Sequence, residues 1–315
     1  MQTLHFFAMG CQMLAVVDAA GARAAERLRR VSGWFAVWER RLSRFRPGSE
    51  LARLNCSGGA PTRVSPVLAE AIGAAVGAAR LSGGLVTPTA LAALEAAGYD
   101  RPFAELAPEI AGQAHAPRLP ADWRQLKLDP AARAVALPAG ARLDLGGTAK
   151  GWAAAEAARR LSSAGPALVD AGGDIVVSGP MADGGPWPIA IASPFGAAEA
   201  PLGVLQLAAG AVATSGRDYR RWRQGGEERH HLIDPRTGRP ADTDLLTATV
   251  VAGDVVSAEA AAKVALLLGS RDGMAWIEAR PGLAAMLALA DGRVLQSRRL
   301  AHFLAPPEPQ EATRL

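Results

Sequence analysis

Between Ala167 and Val251 the chain carries seven strand candidates in succession, at Ala167–Asp170, Asp174–Ser178, Pro188–Ala192, Val204–Leu207, Ala211–Thr214, Arg229–Ile233 and Leu246–Val251. A parallel sheet needs a helical crossover between consecutive strands, so this order argues against a doubly wound α/β fold. The helical patterns lie outside it. Arg23–Leu54 places Leu28, Val31, Phe35, Trp38 and Leu42 at helical spacing and predicts one long amphipathic helix that ends in the loop Ser43–Glu50. Pro66–Leu81 and Thr89–Ala97 predict two more helices, Val256–Leu268 and Arg271–Ala279 a late pair, and Gln12–Val17 a first strand. A final pair of strands follows the late helices. Pro102–Pro120 reads as a surface connection, with strand-like Leu126–Leu128 and Ala134–Leu137 after it. The fold class is therefore α+β, mixed or antiparallel sheets with flanking helices, in a single domain over residues 1–305. Residues 306–315 form a polar, proline-containing tail expected to be disordered.

Several function classes fall away on composition. Half the residues are apolar, yet much of that is alanine in helical runs, and no stretch has the ~20 bulky apolar residues of a membrane span. No membrane insertion is expected, and the N-terminal residues lack a basic leader with a long apolar core, so the expected compartment is the cytoplasm. Cys11 and Cys56 are too few for a disulfide framework or a cysteine zinc site. The net charge of +4 is modest for 315 residues, and the arginines are scattered without interleaved aromatics, which excludes no anionic small ligand but gives no nucleic-acid signature. Among 34 basic residues the lysines are Lys127, Lys150 and Lys263 alone, which marks each as a place for a compact ammonium.

Two stretches concentrate chemistry. Asp144-Leu-Gly-Gly-Thr-Ala-Lys150 is a strand end, a glycine turn and a helix start, where backbone N–H groups and the helix dipole favour a phosphate. A glycine turn with an aspartate cap explains the same residues. His230-His-Leu-Ile-Asp-Pro-Arg-Thr-Gly238 packs two imidazoles, a carboxylate, a guanidinium and a hydroxyl into nine residues. A hairpin turn with Pro235 at its second position accounts for Asp234, Pro235 and Gly238, but leaves the histidines without a purpose.

Together with Met9-Gly10, Phe45–Leu51, Gly84–Thr89, Gly172-Gly173-Asp174 and Thr214-Ser215-Gly216, these stretches follow the order found in the ApbE family of FAD:protein FMN transferases, which the chain resembles from about residue 8 to 300. The resemblance implies an ApbE-like fold and FAD as ligand. It implies cleavage of the FAD pyrophosphate, with FMN passed to a Ser or Thr hydroxyl of an acceptor protein and AMP released. It puts Met9, Phe45, Leu85, Val86, Thr87, Asp144, Lys150 and Ile233 around FAD, and His231 and Lys150 in the chemistry. Met9 and Phe45 are equally consistent with ordinary core positions, and the family usually has Asp where Thr87 stands. The family's Mg²⁺ is held by an Asp and a Thr whose places are taken here by Glu259 and Lys263; Gly147 and Glu259 are what remains as metal contacts. An ammonium cannot ligate a cation, so the magnesium site is expected to be altered. The apolar surroundings of the Glu259/Lys263 pair, four residues apart, suggest that it is buried. A catalytically weak FAD-binding module and a hydrolase giving FMN and AMP share the same site.

Overall fold

The structure, a computed structural model, describes residues 1–112, 115–196 and 200–306. All but Pro306 of the expected tail lies outside the described residues. An eight-stranded sheet organises the chain, and its strands lie side by side in chain order: Gln2–Ala8, Cys11–Val17, Ala167–Ala171, Asp174–Val177, Gly210–Gly216, Leu245–Ala252, Leu283–Leu289 and Val294–Gln296. Every neighbouring pair is antiparallel. The α+β reading with antiparallel sheets therefore holds, and the expected final strand pair is the far edge of this sheet.

Alternation of side chains across the pleat divides the core in two. On one face Ala15, Val17, Val169 and Ala171 pack against helices α1 (Ala22–Arg29), α2 (Val31–Leu42), α4 (Pro66–Leu81) and α6 (Ala149–Leu161), with the short α3 (Glu50–Asn55) beside them. Further along that face, Ala213, Val250, Ala285 and Leu287 pack on α7 (Val255–Glu278). On the opposite face Leu168, Val212, Val251 and Met286 meet a hairpin, Trp187–Ile191 with Gly203–Leu207. Because both faces are covered there, all seven residues of Leu283–Leu289 are buried.

The predicted helix over Arg23–Leu54 is three helices. Arg30 ends α1, its N–H reaching back to Arg27 and Leu28, and α2 starts at the next residue. Leu28, Val31, Phe35 and Trp38 keep one helical period across the break, and all four lie in the core. Ser43 then turns extended, and α3 begins only after its own cap, Ser49 Oγ, accepts the Ala52 N–H at 2.9 Å. The first strand also has a partner ahead of it, Gln2–Ala8, with Leu4 and Phe6 turned to the core. The late helix pair is α7, bent at Gly269 (φ 80). Within Pro102–Pro120, Glu109–Ile110 adds a short parallel strand to Arg221–Gln224. The strand expected over Arg229–Ile233 stops at His230 and resumes at Ile233.

Alanine lets α6 and α7 approach each other and the sheet closely. Gly151 shows how close: a Cβ there would lie 2.7 Å from Val255 Cγ2 and 2.9 Å from Glu259 Cδ. That contact sets α7 beside the start of α6, where Lys150 and Glu259 line the cavity described next.

Candidate active site

One cavity of about 1390 Å³ opens where the start of α6, the middle of α7 and the turns at one end of the sheet converge. It exceeds the ~300–1,000 Å³ of ordinary small-ligand clefts, so it has room for a large ligand. Met9, Phe45, Leu85, Val86, Thr87, Asp144, Gly147, Lys150, His231, Ile233, Glu259 and Lys263 all line it. Folding thus brings every residue that the resemblance implies for the flavin, the chemistry and the metal to the same space, whereas His230, Asp234 and Lys127 lie outside it.

The turn Met9-Gly10 joins the first two strands with both residues at positive φ, 49° and 73°. Such a turn matches the twist of a two-residue hairpin, and a methionine there is unusual. It is held by its own N–H, which donates to Glu39 Oε2 at 2.9 Å. Across the cavity Arg44, not singled out in the sequence, is nearly buried and pairs with Asp144 Oδ2 at 2.6 Å. Its guanidinium lies over the rings of Phe45 (4.1 Å) and Tyr99 (4.7 Å) and donates to Tyr99 O at 2.8 Å. Asp144 and Phe45 are therefore fixed by one arginine. At the third wall Ser82 Oγ accepts the Val86 N–H at 3.0 Å, and Thr87 Oγ1 bonds Thr89 Oγ1 at 2.8 Å, so Thr87 has a protein partner.

The glycine turn before α6 differs from a simple phosphate cradle. Asp144 Oδ1 accepts the Gly146 N–H at 2.8 Å, so that amide is satisfied inside the turn. Gly147 makes room for a side chain: a Cβ there would be 3.2 Å from Lys263 Cε. Lys150 reaches Asp174, which also lines the cavity, forms a close ion pair with it and donates to Ala171 O at 3.3 Å. Burial works against its charge, but Asp174 and Glu259 outweigh that and hold its pKa above the usual lysine value. Gly172-Gly173-Asp174 was visible as a motif; that Asp174 is the partner of Lys150 was not, because 24 residues separate them.

Four charged side chains from α6, α7 and the sheet meet here. Glu259 is 1% exposed and Lys263 16%, with Nζ 3.6 Å from Glu259 Oε1, so the pair is buried as its surroundings suggested. Burial, then the neighbouring Asp174 carboxylate, pushes the Glu259 carboxyl up to about 8, against the pull of Lys263 and Lys150. Glu259 Oε2 has no hydrogen-bond partner.

His230 and His231 part company at the strand break. His230 Nε2 lies 3.0 Å from Ala241 O and its Nδ1 accepts the Leu232 N–H, so the buried ring serves the fold. His231 faces the cavity, and its Nδ1 has no partner. Burial, then the charges of Arg220, His230 and Lys263, lower its pKa to about 3, so the imidazole is neutral. A neutral ring can accept a proton, although Nδ1 itself is sealed from solvent. Thr214 and Thr249, joined through their hydroxyls at 2.9 Å, and Arg220, 3.2 Å from Cys11 Sγ, complete this wall. Thr214 belongs to the Thr214-Ser215-Gly216 motif, whereas nothing in its local sequence distinguished Thr249 from an ordinary strand residue.

The residues at the expected magnesium position do not fit that ion. A hard cation wants about six oxygens in an octahedron. Among the described residues no group of three or more His, Cys, Asp or Glu side chains could hold a metal, and the one carboxylate offered on α7 faces an ammonium. No helix of the described residues is long and apolar enough to cross a membrane.

Known proteins share this architecture. The ApbE family pattern matches residues 9–287. The FAD:protein FMN transferase of Treponema pallidum is 33% identical over 276 residues, which cover 81% of this chain and 75% of that protein. That of Vibrio cholerae serotype O1 is 35% identical over 152 residues, 47% of this chain and 45% of its own. Among solved structures, the ApbE protein of Thermotoga maritima superposes with a TM-score of 0.84 at 25% identity, covering 97% of this chain and 99% of its own. The flavin transferase ApbE of Vibrio cholerae gives 0.77 at 24% identity, 96% and 99% covered, a likeness of fold.

Proposed function

The chain belongs to the ApbE family, and we infer from that membership and the cavity that it is a FAD:protein FMN transferase. The observation that carries the reading is the convergence of the family's motif residues on one cavity large enough for FAD. The acceptor is a Ser or Thr hydroxyl on a partner protein. Its oxygen attacks the FMN phosphorus of FAD, the P–O bond to the AMP phosphate breaks, and AMP leaves with the bonding electron pair. The hydroxyl proton passes to the neutral imidazole of His231, which lines the cavity. A pKa of about 3 makes the empty-site imidazole a weak base, but two bound phosphates bring negative charge beside it and favour its protonated form.

Positioning and electrostatics supply most of the rate in phosphoryl transfer. Phe45, stacked by Arg44, together with Leu85, Val86 and Ile233, gives the flavin apolar surface. The start of α6 at Gly147, with Lys150 behind it, faces the phosphates. Thr87 and Met9 border the same space. The acceptor enters through this same cavity, since the hydroxyl must reach phosphorus beside His231.

Incubation with FAD and a protein domain carrying candidate acceptor threonines, read by intact mass, tests the reading. An FMN adduct with stoichiometric AMP is expected. Free FMN without adduct identifies a hydrolase, and unchanged FAD a binding module; either refutes the transferase assignment.

A further inference from the structure

The two cavity lysines are not equivalent. Lys150 is spent on Asp174 in a close ion pair. Lys263 has looser company: Glu259 Oε1 at 3.6 Å and Glu259 O at 3.5 Å, both at the outer limit for a hydrogen bond. Its stem lies against the turn that begins α6, with Cε 3.2 Å from where a Cβ on residue 147 would be. A weakly paired ammonium, mostly buried and fixed at a helix start beside a large cavity, is a poor arrangement for stability alone. Desolvating a charge costs free energy that these distant contacts offset only in part. It is a good arrangement for an anion that has yet to arrive.

We propose that Lys263 is the resident cation of this site: its ammonium binds the pyrophosphate of FAD across the Gly147 turn, and FAD binding needs no divalent ion. The inference rests on the flavin-transfer reading and adds to it a specific electrostatic partner. An ammonium is a compact charge with three donors and can bridge oxygens of both phosphates. It also repels any second cation placed a few ångströms away, and the side chains present supply no oxygen set to hold one. Gly147 then has a defined part. It is the gap through which the lysine stem reaches the phosphates, so a side chain there displaces the ammonium without removing it.

The test is calorimetric titration of the full chain with FAD, in EDTA and in excess Mg²⁺. The expected dissociation constants agree within about twofold, while Lys263→Met, of similar length and no charge, binds about tenfold or more weakly. Gly147→Ala weakens binding in the same direction, and thermal melting verifies that each variant is folded. In Glu259→Asp/Lys263→Thr, metal analysis after gel filtration with FAD finds bound Mg²⁺ that the parent lacks. FAD binding by the parent that tightens about tenfold with Mg²⁺ overturns the proposal, as does a folded Lys263→Met protein with parental affinity. The parent's own comparison decides if that variant does not fold. An absence of FAD binding in both buffers overturns the flavin reading itself, so the two failures are distinct.

Discussion

Replacing Lys150 with methionine separates its part in folding from its part in binding. In the parent the ammonium is 15% exposed and the Asp174 carboxylate 4%, and the two are in close contact. Removing one partner of such a pair costs about 3–5 kcal/mol, because the other charge stays buried and unpaired. For a chain of this length the unfolding entropy is roughly 0.7 kcal/mol/K, so melting falls by about 4–8 °C. Asp174→Asn added to Lys150→Met removes the stranded charge and recovers much of the loss, and the double-mutant cycle shows strong coupling. Scanning calorimetry of the four proteins provides the test. FAD affinity should fall less in Lys150→Met than in Lys263→Met, because Asp174 already neutralises Lys150. A Lys150→Met protein melting within about 1 °C of the parent refutes the argument, since that is the behaviour of an exposed side chain.

His231→Ala abolishes FMN transfer while leaving FAD affinity within about threefold, as expected of a group acting in the transition state; His230→Ala instead lowers melting, because Ala241 O and the Leu232 N–H lose their partner. The depressed His231 pKa means the unfolded chain binds the proton more readily between pH 6.5 and about 3, so stability falls as pH drops through that window, and His231→Gln flattens this part of the urea-midpoint profile. Glu259 works in the other direction: its pKa is raised from 4.5 to about 8, so its contribution is fully present below 4.5 and is lost as pH rises toward 8, a loss that Glu259→Gln removes. Gly151→Ala crowds Val255 and Glu259 and lowers stability by about 1–2 kcal/mol after roughly 1 kcal/mol of helix propensity is regained, a net stabilisation being the contrary result.

Local patterns in the sequence identified most of the helices and strands, although Gln2–Ala8 and Arg221–Gln224 went unread. Strand-length runs without helical crossovers required an antiparallel α+β fold, because neighbouring residues alone decide period and turn chemistry. Motif residues from Met9 to Lys263 could likewise be named, since their chemistry belongs to the side chain itself. What each group does with its charge was decided by residues far away in the chain. Lys150 faces Asp174, Lys263 lies on Gly147, Arg44 clamps Asp144, and the His231 ring is neutral because burial and Arg220 make it so. The break at Arg30 is likewise invisible locally, since the apolar period of Leu28, Val31 and Phe35 runs through it. Pairing and desolvation fall off within a few ångströms and depend on what folding brings near, which no stretch of neighbouring residues encodes.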